Sequence, residues 1–122
     1  MCKMLLSINP EHVNNIFNGS KKFEFRKTIC TRKVDKIIFY ATSPIKKIVG
    51  EAKVTNILID TPEKIWEQTN EFSGISKYFF ENYYKNKENA VAFQIDDVLK
   101  YSKPLNLEDL GILRAPQSFQ YL

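Results

Sequence analysis

Three side chains in the stretch SKKFEFRK, residues 20–27, have complementary chemistry: Lys21, Glu24 and Arg26. A lysine brings a point charge that neutralises a phosphate. A guanidinium presents a planar fork for two-point contact with a phosphate or a base edge. A carboxylate accepts from an exocyclic amine such as N4 of cytosine. A carboxylate among cations is costly for a pure phosphate site, so its presence points to base reading or to an orienting ion pair. The competing interpretation is a salt bridge on the wet face of an exposed strand, worth about 0–1 kcal/mol. The alternation itself permits either: Phe23 and Phe25 fall on one parity, Lys22, Glu24 and Arg26 on the other, which is the period of a strand with one apolar and one charged face.

Secondary candidates surround this stretch. Arg32 and Lys33 extend an electrostatic track, and Tyr40 offers a stacking face. Ser43, after the third expected strand, and Gln117, in the tail, are candidates for a cleft wall, each equally readable as a turn or packing residue. Cys2 and Cys30 form neither a CxxC pair nor a metal-ligand spacing, so no zinc site and no cofactor is expected. The single histidine, His12, reads as a surface residue of a helix; a Ser-His-Asp or Cys-His mechanism would need it as base, and no nucleophile motif accompanies it.

The 122 residues, 43% apolar and 26% charged, fit one domain able to bury a core. The net charge of +4 is unevenly distributed. Residues 1–53 hold 11 Lys+Arg against 4 Asp+Glu, and residues 54–122 hold 7 against 10. The basic peak between Lys21 and Lys36 implies an anionic partner or else a solvated lysine-rich surface. The N-terminal apolar run is too short for a signal peptide and no stretch approaches a membrane span. A cytoplasmic protein with reduced thiols and no membrane contact is therefore expected, with its oligomeric state open.

Elements must position these residues. A buried strand is expected over residues 3–8, then a helix opened by Asn9 as N-cap and Pro10 at its first position, with Val13, Ile16 and Phe17 on one face and Gly19 at its end. A strand over 21–27 follows, then a basic loop and a central apolar strand over 34–42. Residues 45–60 form a long strand that Gly50 can bend at a bulge. Thr61 and Ser76 cap two short helices; the second clusters Phe79, Phe80, Tyr83 and Tyr84, read as core, with base stacking the lesser alternative. Strands over 90–95 and 98–101, a helical turn over 107–112 and an extended tail complete an α+β chain, a compact mixed barrel.

The sequence GSKKFEFR has the form Gly-x-Lys-x-x-Glu-x-Arg through Gly19, Lys21, Glu24 and Arg26, and it resembles the motif of the ASCH domain family, a branch of the PUA-like superfamily. It follows a helix and begins a strand, as in that family, and FYATSPIKKIVGEAKV looks like the family's next two strands. The likeness covers about residues 4–101, with a PQSF tail similar to that of small stand-alone bacterial or phage members. It implies a PUA-like barrel of five or six strands with flanking helices and a cleft beside the motif. It also implies RNA binding or RNA-linked, including transcriptional, regulation. One branch hydrolyses acetylated cytidine with a lysine, a threonine and a glutamate; others are reported to cleave RNA. Lys21 matches the lysine, but Glu24 stands at the threonine position and cannot serve as a hydroxyl nucleophile. Glu71 is the candidate third member.

Two functions follow. The first is a binding module for RNA, single strands favoured, or for a nucleotide, at a cleft around Lys21, Glu24 and Arg26. The alternative is a hydrolase on RNA or a modified nucleoside, with Lys21 as general base and Glu24 or Glu71 as acid, base or orienter. The departure at Glu24 places binding ahead of catalysis. A protein-interaction adaptor in transcription ranks third.

Overall fold

Pro10 has no N–H to satisfy and a fixed φ, and the Asn9 side chain accepts from the Glu11 amide at 2.9 Å, so a helix starts there. In the computed structural model, which describes residues 2–29 and 31–122, this helix is α1 (Pro10–Phe17), entered directly from strand β1 (Lys3–Ile8). Its buried face is Val13 and Ile16. Gly19, at φ +87°, turns the chain back, and the Lys21 amide donates to the Asn15 carbonyl at 3.0 Å. Lys21 therefore sits at the hinge between helix and strand. Strand β2 (Phe23–Arg26) is shorter than the alternation predicts, because Lys21 bridges to Ser73 and the Lys22 amide donates to the Phe72 carbonyl.

β3 (Lys36–Ala41) and β4 (Lys47–Asp60) follow, then α2 (Pro62–Thr69), a 3-10 turn, α3 (Lys77–Tyr83), β5 (Ala90–Leu105), a second 3-10 turn and β6 (Phe119–Tyr121). Thr61 and Ser76 cap α2 and α3 with their hydroxyls. The strands form one six-stranded sheet ordered β2-β5-β4-β3-β1-β6, parallel only between β1 and β3. The fold is α+β, a curled, half-barrel mixed sheet with three helices, as the family likeness implies. The two strands expected over 90–95 and 98–101 are one continuous β5. Its register against β4 shifts three times, and Asp97 takes φ +50° where a break was expected. Bulges bend strands and raise their twist, which curls the sheet. Gly50 sits at one of these shifts because a Cβ there would lie 2.8 Å from the Phe17 ring.

β3 is covered on both sides. Ile37, Phe39 and Ala41 join Met4, Leu6, Val13 and Ile16 in the main core. Ile38 and Tyr40 pack with Leu5, Ile48 and Ile112 on the opposite face. A third cluster, Phe25, Ile65, Phe80, Tyr84 and Ala92, seats α2 and α3 against β2 and β5. Tyr84 donates its hydroxyl to the Arg26 carbonyl at 2.8 Å, anchoring the edge strand. Edge strand β2 and the chain entering β6 meet through one guanidinium: Arg26 donates to the Ser7 carbonyl at 3.0 Å and to the Ser118 hydroxyl at 3.3 Å.

Candidate functional site

Glu24 and Lys21 are not on a wet face. Lys21 is 2% exposed and Glu24 5%, although their strand reads as half-charged. Burial at this level removes the exposed salt-bridge interpretation, because a buried charge without partners is prohibitively costly. The partners are present. Arg26 donates through Nε at 3.0 Å and through a terminal nitrogen at 2.7 Å to one Glu24 oxygen, Oε2. Lys21 donates from Nζ to the Ser73 carbonyl at 2.8 Å and lies 4.7 Å from the centroid of the Phe25 ring. It stands 3.8 Å from Glu24 Oε1, an ion pair beyond hydrogen-bond reach. Gly74 makes room for the lysine stem: at φ +70°, a Cβ there would lie 2.7 Å from Lys21 Cγ.

These groups face a cleft of about 170 Å³ whose wall also includes Ser7, Asn9, His12, Phe79 and Tyr83. Four of the five Arg26 N–H donors are engaged by Glu24, Ser7 and Ser118, so the fork orients the carboxylate and is not a free two-point phosphate clamp. Most of what remains open is on Lys21, which has two further N–H donors, and on Glu24 Oε1. His12 departs from its expected place on the surface. It is half-buried in the cleft wall, its ring meets Phe79 edge-on at 5.4 Å, and its Nδ1 is buried without a hydrogen-bond partner among the described residues. Burial, reinforced by the nearby Lys21 charge, pulls the His12 imidazolium below its ordinary range, so the neutral ring is favoured. Burial also pulls the Lys21 ammonium down, Glu24 opposing and Arg26 adding to the effect. Burial raises the Tyr83 phenol, leaving it protonated at neutral pH.

The remaining expected residues do not join this cleft. Tyr40 is buried at 6% exposure in the core with Leu5 and Ile48, so it offers no stacking face. Arg32 is exposed and lies over the Tyr121 ring at 4.6 Å, and Lys33 is exposed beside it in sequence. Ser43 sits in an exposed turn. Gln117 is exposed, and its neighbour Ser118 is the residue that meets Arg26. Glu71 is exposed in the wall of a separate, wider groove of about 740 Å³, which shares Asn9, His12, Ile75 and Phe79 with the cleft. Cys30 lies outside the described residues. Among the described residues no three His, Cys, Asp or Glu side chains gather as metal ligands, and no helix is long and apolar enough to cross a membrane.

Sequence reasoning misses Ser7 and puts His12 on the surface. It reads Phe79 and Tyr83 as core, with base stacking the lesser alternative; the structure instead leaves Phe79 46% exposed and puts both rings in the cleft wall. His12 lies in the first turn of α1, three residues after the N-cap, and like the others it reaches the cleft through tertiary contacts.

The fold has counterparts among known proteins. The chain belongs to the ASCH domain family, and residues 4–113 match the family model described as a domain of unknown function (DUF365). It is 30% identical over 123 residues to the ASCH domain-containing ribonuclease of Zymomonas mobilis, covering 97% of this chain and 82% of that one. The crystal structure of ASCH from the same organism superposes with a TM-score of 0.89 at 28% identity, over 98% of this chain and 87% of that one. The chain is also 32% identical over 120 residues, 98% of its length, to the large ribosomal subunit protein uL22 of Ureaplasma parvum serovar 3. It spans only 39% of that relative's length.

Proposed function

We propose that this chain holds single-stranded RNA, with one nucleotide in the cleft at Lys21 and Glu24. One observation carries the reading: two buried, oppositely charged side chains face a cleft of about 170 Å³ with hydrogen-bonding capacity left over. Lys21 supplies N–H donors and positive charge to a phosphate. Glu24 Oε1, its carboxylate fixed by Arg26, accepts from an exocyclic amine. A small cleft admits a splayed base and excludes a stacked duplex. The relative from Zymomonas named a ribonuclease supports RNA as the ligand class.

A second reading, cleavage of the bound strand, rests on a specific observation. The chain's single histidine lines the same cleft as Lys21, and burial shifts both pKa values downward, which favours a neutral imidazole as base and eases proton loss from the ammonium. In this reading the His12 imidazole takes the proton of a ribose 2′-hydroxyl and the 2′ oxygen attacks the adjacent phosphorus. The departing 5′ oxygen takes a proton from the Lys21 ammonium, leaving a cyclic phosphate and a free 5′-hydroxyl. Hydrolysis of acetylated cytidine is not assigned, since Glu24 replaces the threonine and its Oε2 is committed to Arg26.

The test is fluorescence anisotropy of a labelled single-stranded RNA and a duplex DNA, with gel analysis of the RNA after incubation. The single strand is expected to bind more tightly, and Lys21→Met to weaken it. Glu24→Gln is expected to preserve overall polyanion affinity while reducing discrimination between bases. Equal affinity for both nucleic acids, unchanged by Lys21→Met, would overturn the assignment.

A further inference from the structure

Phe79 combines two properties rarely found together: it is 46% exposed, yet its ring is held from two sides. Tyr83, one helical turn later on α3, stacks against it with planes 9° apart and centroids at 6.4 Å. His12 meets it edge-on from α1, at 71°. Tyr83 is itself fixed: its hydroxyl donates to the Phe25 carbonyl at 3.4 Å, and Lys27 Nζ sits 4.5 Å from its ring centroid. Other exposed aromatics differ. Tyr78, on the same helix, is 78% exposed, makes no ring contact among the described residues and lines neither the cleft nor the wider groove. Phe72 already carries Lys22 over its ring at 4.3 Å.

Phe79 also lies at a junction. It forms part of the wall of the cleft and of the wider groove beside it. A strand with one nucleotide in the cleft has to carry its next base past this ring. Exposed rings cost solvation, and holding one rigid spends conformational freedom before any ligand arrives, which lowers the cost of stacking when it does.

We propose that Phe79 is the stacking platform for the nucleobase adjacent to the one in the cleft, on a single-stranded RNA that continues into the neighbouring groove. The proposal rests on the RNA reading above and adds a second, sequence-tolerant subsite to it. Tyr83 and His12 set the angle of the platform, and Lys27 places an ammonium near the phosphodiester that joins the two nucleotides. Base–aromatic stacking tolerates any base, so this subsite contributes affinity and register, while Glu24 reads identity.

The test measures affinity of the full chain for a mononucleotide and for a single-stranded hexanucleotide RNA in four forms: unmodified, Phe79→Ala, Phe79→Trp and Tyr78→Ala. Phe79→Ala is expected to weaken hexanucleotide binding between about fivefold and about a hundredfold, the span of one stacked base, with a clearly smaller loss for the mononucleotide. Phe79→Trp is expected to retain hexanucleotide affinity, which also shows that the position tolerates replacement without loss of the fold. Tyr78→Ala should match the unmodified chain. Hexanucleotide binding that Phe79→Ala leaves at the Tyr78→Ala level, or an equal loss for both ligands, overturns the platform while leaving the cleft intact. No binding of either ligand by the unmodified chain overturns the RNA reading itself.

Discussion

Two carboxylates in this molecule are each held by a lysine and a second donor, and they end in opposite states. Glu51 on β4 receives Lys36 Nζ at 2.6 Å on one oxygen and the Tyr101 hydroxyl at 2.7 Å on the other. Both oxygens are filled, the pair is only partly buried, and it lines neither the cleft nor the wider groove. Glu24 has one oxygen taken by Arg26, while the other faces Lys21 across 3.8 Å beside a cleft. The first network is closed and structural; the second is deeper in the protein yet retains capacity. Open hydrogen-bonding capacity beside a cleft is what the proposed nucleotide would use, whereas the closed Glu51 network offers none.

Removing each carboxylate separates the two most strongly. Glu24→Ala leaves two cations without their counter-ion, and loss of one member of a buried pair costs about 3–5 kcal/mol. Glu51→Ala removes a partly exposed pair, worth about 1 kcal/mol or less. Denaturant unfolding of both variants checks the ranking; equal losses would erase the distinction. Gly74→Ala sharpens it. The added methyl collides with the Lys21 stem at a positive φ, with an expected cost of about 2 kcal/mol. It should also weaken RNA binding by displacing Nζ, whereas nothing comparable supports Lys36.

Acid titration separates the two regions by pH. Burial lowers the His12 pKa below its ordinary 6.5, with Lys21 and Arg26 lowering it further and Glu24 and Glu11 opposing. The unfolded chain then binds the proton first, so stability is expected to fall as pH drops below about 6.5 and to recover as it rises. Glu51 is shifted down from 4.5 by its bonds to Lys36 and Tyr101, so its contribution is present above that value and lost below it. His12→Gln should remove the upper step and Glu51→Gln the lower one, read from unfolding midpoints across the pH range. A single step unaffected by His12→Gln would contradict the placement of the imidazole.

The smallest effect is electrostatic. Arg32 lies outside the cleft, over Tyr121, so Arg32→Ala should weaken all single-stranded RNAs alike. It should also flatten the slope of log affinity against log salt by about 0.7, the share of one phosphate contact on a single strand. A sequence-dependent loss would move Arg32 into the reading site.

How much of this was legible in the sequence follows from the range of the interactions involved. The caps at Asn9, Thr61 and Ser76 and the alternation at Phe23–Arg26 are local, and they located the elements that carry Lys21, Glu24 and Arg26. The depth of Glu24 was not legible, because a charged parity on a strand says nothing of what covers it; here Lys21 and Arg26 close over its carboxylate. The state of Arg26 was hidden for the same reason, since its partners Ser7 and Ser118 are 19 and 92 residues away. Tyr40 misled in the other direction: its parity places it on the second face of β3, where Ile48 and Ile112 bury it.

His12, as the chain's only histidine, gives a single imidazole resonance that reports directly on the cleft. Adding single-stranded RNA while following that signal by NMR tests the central claim. A saturable shift of the His12 resonance, with a changed pH midpoint and loss of the response in Lys21→Met, is the predicted result. An unmoved His12 signal, while the amides of Arg32 and Lys33 respond to the same RNA, would place binding on the basic surface and contradict the cleft.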